Sequence, residues 1–126
     1  FKEQRINYVC LPLQSASHRV LKLMNRGYDL DLISETLTRI KRQSPSTYLF
    51  THFMINFPSE TLEDFKKSLE FARLFDSSMF IPFQENKRTP AYRIAPKCTN
   101  KELMNKIELL NYYIQNRFIH AVLVGI

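Results

Sequence analysis

At 126 residues, 44% hydrophobic and 24% charged, the chain has the length of one domain and a composition ordinary for a globular protein, enough to bury about two-thirds of its unfolded surface. Only two glycines, Gly27 and Gly125, are present, which excludes a glycine-rich phosphate loop of either common type. A formal charge of +6 and a pI near 9.5 permit nucleic-acid binding without showing it, and the basic residues Arg39, Lys41, Arg42, Lys66, Lys67, Lys101 and Lys106 are spread along helices as on a solvated face.

No apolar run approaches the roughly 18 residues of a membrane span, so a soluble, cytoplasmic protein with no membrane contact is expected. Cys10 and Cys98 show no CxxC pattern and read as reduced thiols rather than a disulfide framework. The chain begins at Phe1, which reads as a processed chain or one cut from something longer.

Ile6 to Leu13 is a short apolar strand with Pro12 near its end, where proline is tolerated. Ser15 or Ser17 can cap the next helix, about Ser17 to Asn25, whose Val20, Leu21 and Met24 share a face. Gly27 is placed to close it in the left-handed conformation. A second helix follows, capped by Asp29 or Asp31, with an apolar stripe of Leu32, Ile33, Leu37 and Ile40, ending at Ser44-Pro45. Tyr48 to Ile55 is rich in aromatic and β-branched residues and reads as a strand covered on both faces. Pro58 stops it. Ser59 and Thr61 offer cap hydroxyls, and Thr61 with Asp64 has capping-box spacing. The helix from Thr61 to about Phe75 buries Leu62, Phe65, Leu69 and Ala72. Met79 to Phe83 is a third short strand. Gln84 to Pro96 is a long polar loop, of a length that often marks function. Thr99 caps a last helix to about Arg117, with Glu102 at its third position, and HAVLVGI begins another strand. Phe50, Phe53, Phe57, Phe80 and Phe83 fall at strand spacing and read as core.

Strands alternating with amphipathic helices, and no two strands close enough for a hairpin, make this an α/β chain with a parallel sheet and right-handed crossovers. A closed (β/α)₈ barrel needs about 250 residues, so the expected fold is a parallel partial (half) TIM-type barrel, one fragment spanning 1–126. Ligands in such folds sit where strands end and helices begin, which directs attention to Asn56–Glu60. His18, His52 and His120 lack zinc-type spacing, and no GxSxG elbow exists.

The segments LPLQSAS (Leu11 to Ser17), RVLKLMNRGY (Arg19 to Tyr28) and FMINFPSETLEDF (Phe53 to Phe65), in that order and spacing, resemble the radical S-adenosylmethionine methylthiotransferases, from Ile6 to about Arg117. The resemblance implies the C-terminal half of a radical S-adenosylmethionine barrel. Its parent would be an iron–sulfur enzyme that generates a 5′-deoxyadenosyl radical and inserts sulfur and methyl into a tRNA base or a ribosomal-protein residue. It implies cofactor ribose contacts from Gln14, Ser15 and Ser17, and adenine-side contacts from Met54, Ile55, Asn56 and Phe57. A rim is implied at Phe83, Gln84 and Thr89-Pro90-Ala91, and Arg26 is placed for a carboxylate such as that of the cofactor's methionine. The CxxxCxxC motif that supplies three thiolates to a [4Fe–4S] cluster is absent, and in the family it lies upstream of the matching part. His52 replaces the family's aspartate, and Asn56 and Ser59 replace two glycines. The isolated chain is therefore expected to be inactive, to bind no metal and to self-associate through its exposed sheet edges. Two other readings remain open: a non-catalytic RNA- or protein-binding relic of the fold, and a cobalamin-binding radical S-adenosylmethionine enzyme.

Overall fold

The structure, a computed structural model, describes residues 7–125; Ile6, the expected start of the first strand, lies outside them. Along these residues run the strands β1 (Tyr8–Cys10), β2 (Tyr48–Ile55), β3 (Ser77–Pro82) and β4 (Ala121–Leu123), and the helices α1 (His18–Leu23), α2 (Leu30–Gln43), α3 (Leu62–Ala72) and α4 (Asn100–Gln115). The strands form one sheet in chain order, each parallel to its neighbour, with helices in every connection. This is the βα succession of a partial TIM-type barrel.

β1 is shorter than the sequence pattern implies because Pro12 has no N–H for the ladder. The chain still follows β2: Leu11 N donates to Phe50 O, Gln14 N to His52 O, and Met54 N to Gln14 O, each at 2.9 Å. Where proline breaks the ladder, the buried Thr51 hydroxyl donates to Leu11 O at 2.6 Å. β3 begins earlier than expected, at Ser77, because Asp76 fixes its entry: the Leu49 N–H donates to Asp76 Oδ2 at 2.7 Å, and the Asp76 N–H donates to Leu49 O at 2.8 Å.

Side chains alternate strictly along β2. Leu49, Thr51, Phe53 and Ile55 are buried, whereas Phe50, His52 and Met54 are only partly covered. All four helices contribute to the buried side, through Leu21, Leu37, Phe65, Leu69, Leu110 and Tyr113. Phe80 stacks on Phe53 with centroids 5.4 Å apart and meets Phe65 edge-on at 5.6 Å. Burial of each such ring stabilises by about 1.5–3 kcal/mol, and the ring geometry adds up to roughly 1.5 kcal/mol more. The expectation that β2 is covered on both faces is corrected here. The opposite face, which in a closed barrel would point inward, is open: Tyr8 is 75% exposed and Val122 54%. Phe50 stands on this open face, beside His52, rather than in the core.

Helix ends follow local chemistry. α1 is capped by Ser17, whose Oγ accepts from Val20 N. Its C-terminus corrects a second expectation, because Gly27 is not the left-handed residue. Asn25 is, with φ 57°. Asn25 N donates to Lys22 O at 3.0 Å and Arg26 N to Leu21 O at 2.8 Å, the paired bonds of a Schellman end. Asn tolerates positive φ, so the helix ends before the glycine is reached. Asp29 caps α2 by accepting from Leu32 N. Both capping boxes, Thr61 with Asp64 and Thr99 with Glu102, are complete.

A cleft at the strand ends and a buried ion pair behind it

The C-terminal ends of β2 and β3 open into a cleft of ≈ 420 Å³, a volume within the range of small-molecule sites. Met54 and Ile81 reach it from the open sheet face, because their positions pair in the β2–β3 register. Phe57 and Phe83 form an edge-to-face pair in its wall, centroids 5.2 Å apart. Gln14 and Asn25–Arg26 close one side, and Gln84, Asn86 and Thr89–Ala91 of the long loop close the other. That loop contains a single 3₁₀ turn at Pro90–Arg93. The lining is an apolar floor with a few polar side chains at the edge, the composition of small-molecule sites in general.

Behind the Phe57 wall lies a polar cluster that the sequence did not announce. Lys106 is 1% exposed; the expectation of a solvated lysine is corrected. It falls between Leu103 and Leu110 on the buried stripe of α4. Its Nζ donates to Asn56 Oδ1 at 2.9 Å and Glu60 O at 2.7 Å, and lies 3.3 Å from Glu60 Oε1 and 3.7 Å from Cys98 Sγ. Glu60 Oε1 also accepts from Asn56 N at 2.8 Å, while Oε2 has no partner. Burial pushes the Glu60 carboxyl up to about 7, against the opposing pull of the Lys106 charge and the Asn56 amide. Burial also raises the Cys98 thiol, which donates to Phe57 O at 3.1 Å. The amine that Glu60 binds is thus that of Lys106.

A second cluster joins the starts of α1 and α3. Ser17 Oγ donates to Asp64 Oδ1 at 2.8 Å, and Arg19 pairs with Asp64 Oδ2. Burial works to raise the Asp64 carboxyl, but the bonds from Arg19, the Thr61 amide and Ser17 outweigh it and hold it well below the usual carboxylate range.

Five of the nine residues singled out from the sequence line the cleft: Gln14, Arg26, Met54, Phe57 and Gln84. The other four do not. Ser15 and Ser17 are fully buried; Ser15 Oγ accepts from Ser17 N at 3.1 Å, and Ser17 Oγ is taken up by capping and by Asp64. Ile55 points into the core. Asn56 sits behind the wall, bonded to Lys106, Glu60 and, through Nδ2, to Thr99 O at 3.3 Å. Asn56 and Ser59 both adopt positive φ, 71° and 69°, so these non-glycine residues keep the left-handed backbone a glycine would supply. Ser59 does not cap α3; its Oγ accepts from Arg19 at 3.1 Å. Sequence reasoning missed Lys106 and Cys98. The signal for Lys106 was its place on the apolar stripe; Cys98 carried none.

Fold and cleft together define a parallel β/α unit with an open cleft at its strand ends. The radical SAM superfamily profile matches residues 1–72, and the chain belongs to that superfamily. It is 38% identical to a tRNA-2-methylthio-N(6)-dimethylallyladenosine synthase of Clostridium tetani, over 94% of this chain and 29% of the relative. It is 34% identical to the synthase of that name from Buchnera aphidicola, over 80% of this chain and 24% of the relative. It is 32% identical to a ribosomal protein uS12 methylthiotransferase of Chlorobaculum parvum, again over 80% and 24%. The homology to methylthiotransferases thus covers most of this chain, while the chain spans about a quarter of the length of these relatives. The two cysteines are one short of the three thiolates that hold a [4Fe–4S] cluster to which a further ligand binds. Among the described residues no group of three or more His, Cys, Asp or Glu could hold a metal ion. The chain's own residues do not fit the cluster. No helix among the described residues is long and apolar enough to cross a membrane.

Proposed function

We propose that this chain is the C-terminal part of a radical SAM methylthiotransferase domain and that its cleft receives the adenosine end of S-adenosylmethionine. The observation that carries this reading is the convergence of Gln14, Met54, Phe57, Phe83 and Gln84 on one cleft at the C-terminal strand ends. The sulfonium cofactor, when bound, supplies the alkyl group from which the radical chemistry starts. The residues here contribute binding and orientation. Met54, Ile81, Phe57 and Phe83 offer apolar surface to the purine and exclude water from it. The Gln14 and Gln84 amides are placed to hydrogen-bond ribose hydroxyls or purine nitrogens, and Arg26 at the edge presents a guanidinium to the cofactor's carboxylate. Cluster ligands come from another part of the parent protein.

The proposed substrate of that parent is a tRNA adenosine derivative, as in the first relatives' names. The exposed Lys87, Arg88, Arg93 and Lys97 along the loop that rims the cleft favour a phosphate-bearing substrate over a protein loop. The non-catalytic alternative draws on the replaced aspartate and glycines, yet Asn56 and Ser59 preserve the backbone conformation at two of those positions.

Saturation-transfer NMR with 5′-deoxyadenosine tests the reading. Transfer to the purine H2 and H8 protons is expected in the wild type and is lost in Met54→Glu. An unsaturated purine in the wild type refutes it. Calorimetry with whole S-adenosylmethionine at millimolar concentration is expected to give no measurable heat, because the cluster that anchors its methionine end is not held here.

A further inference from the structure

We propose that Lys106 is a positioning residue for the cleft, a single buried ammonium that locks its two walls together. This rests on the reading of the cleft as the ligand site. One wall is the turn Asn56–Glu60, which carries Phe57. The other is the long loop from Phe83 to Cys98. The two walls come from segments far apart in sequence; Phe57 and Phe83 meet edge-on in the cleft itself, and the polar ties between the segments lie behind it, out of reach of a ligand. Lys106 Nζ donates to Asn56 Oδ1 and Glu60 O on the turn, and approaches Cys98 Sγ at the end of the loop. Two further hydrogen bonds converge on the same point: the Cys98 thiol donates to Phe57 O, and Asn56 Nδ2 donates to Thr99 O.

The chemistry of the cluster argues for placement over stability. A buried ion pair is a weak stabiliser, because desolvation offsets its attraction, whereas it fixes geometry when every donor has an acceptor. Lys106 meets that second condition through two carbonyl-type oxygens and one carboxylate oxygen. The turn it holds is held against its own preference, since Asn56 and Ser59 stand at positive φ and that conformation lasts only while the surroundings over-determine it. Release of Nζ therefore frees the turn, with Phe57, and the loop end together.

The lock also has a pH handle. Glu60 is faced by Lys106 from α4, Cys98 from the loop and Asp64 from α3. Burial holds the Glu60 carboxyl above its ordinary range, so the closed arrangement takes up a proton that an opened, solvated turn releases, and lowering the pH tightens the lock.

Amide exchange by mass spectrometry on the whole chain tests the proposal. Lys106→Met is expected to lower protection about tenfold in peptides spanning 55–60 and 83–98, the consequence of losing bonds worth about 1.4 kcal/mol, with β3 protection little changed. Lys106→Arg is expected to restore most of it. The core variant Leu69→Ala, destabilised through the core instead of the cleft, should lose protection across the sheet. After correction for intrinsic rates, wild-type protection in the two segments should rise as the pH is lowered from 8 to 6, and Glu60→Gln should show no such step. If Lys106→Met does not fold, Asn56→Ala removes the same link and carries the same expectation. Uniform loss in Lys106→Met, or protection in the two segments within twofold of wild type, overturns the proposal, as does an absent pH step. Failure of wild type to bind 5′-deoxyadenosine while this exchange pattern holds would overturn the reading of the cleft and leave the role of Lys106 standing.

Discussion

Glu60 gives the sharpest thermodynamic expectation. Its side chain is enclosed, one oxygen accepts from the Asn56 amide and faces Lys106, and the other has no partner. Burial prevails over the neighbouring cation and the Asn56 amide and raises the carboxyl from its ordinary 4.5 to about 7. The folded protein therefore binds this proton more tightly than the unfolded chain, and stability falls as pH rises across that interval. The difference corresponds to about 3 kcal/mol, fully present below the unfolded value of 4.5 and lost as pH rises through about 7. Asp64 acts in the opposite sense: its carboxyl is depressed, so its contribution is present above pH 4 and is lost as pH falls further. Stability should consequently peak between pH 4 and 5 and decline towards neutrality. Glu60→Gln keeps an acceptor for the Asn56 amide and Lys106 but cannot titrate, so its profile should be flat from pH 4.5 to 7. Urea unfolding followed by circular dichroism, at four pH values for both proteins, measures this. A wild-type curve that stays level or climbs over that window, or a Glu60→Gln curve that keeps the decline, refutes the account of the buried pair.

The two left-handed residues of the turn should respond differently to glycine. Ser59→Gly removes positive-φ strain at the expense of one exposed Arg19 bond, so a change between zero and about 1 kcal/mol in the stabilising direction is expected in thermal melts. Asn56→Gly relieves comparable strain but strips Lys106 of an acceptor, and a net loss of about 1–2 kcal/mol is expected. Ser17→Ala should cost about 1–3 kcal/mol, since its buried hydroxyl both caps α1 and donates to Asp64. The open sheet face and the unpaired edges of β1 and β4 should drive self-association at high concentration; light scattering should report dimers or larger species that Val122→Lys weakens, and a strictly monomeric wild type contradicts this.

The bounds of β2 and both capping boxes were legible because they depend on residues within a few positions: a β-rich run halted by Pro58, and hydroxyl–carboxylate pairs three apart. The left-handed end of α1 was misplaced at Gly27 because glycine preference is a tendency, and Asn25 satisfied the same geometry first. In the candidate site, Met54 and Ile55 were grouped together, but strand alternation sends one to the cleft and the other to the core. Ser15 and Ser17 were legible as cap and turn residues and were assigned a ligand role through resemblance alone. Lys106 was hidden by its charge: residue type says surface, while its register on α4 says core. Its partners Asn56, Glu60 and Cys98 lie 8 to 50 positions away, where local pattern carries no information.

Five described non-glycine residues stand at positive φ: Gln14, Asn25, Asn56, Ser59 and Arg117. Three of them, Gln14, Asn25 and Asn56, line the cleft or brace its wall, and Ser59 shares the Asn56 turn. Each such conformation costs roughly 1–2 kcal/mol for a residue with a side chain, and the chain uses glycine at none of the four. The cost is met locally in each case. Asn25 is held by the Schellman bonds, Gln14 by backbone bonds on both sides to β2, Asn56 by Lys106, Glu60 and Thr99, and Ser59 by Arg19. A surface freed from any demand on its shape has no reason to keep four strained positions supported by a buried ion pair. Their clustering at one end of the sheet supports a cleft whose shape still matters, and it weighs the proposed cofactor-binding role above that of a relic.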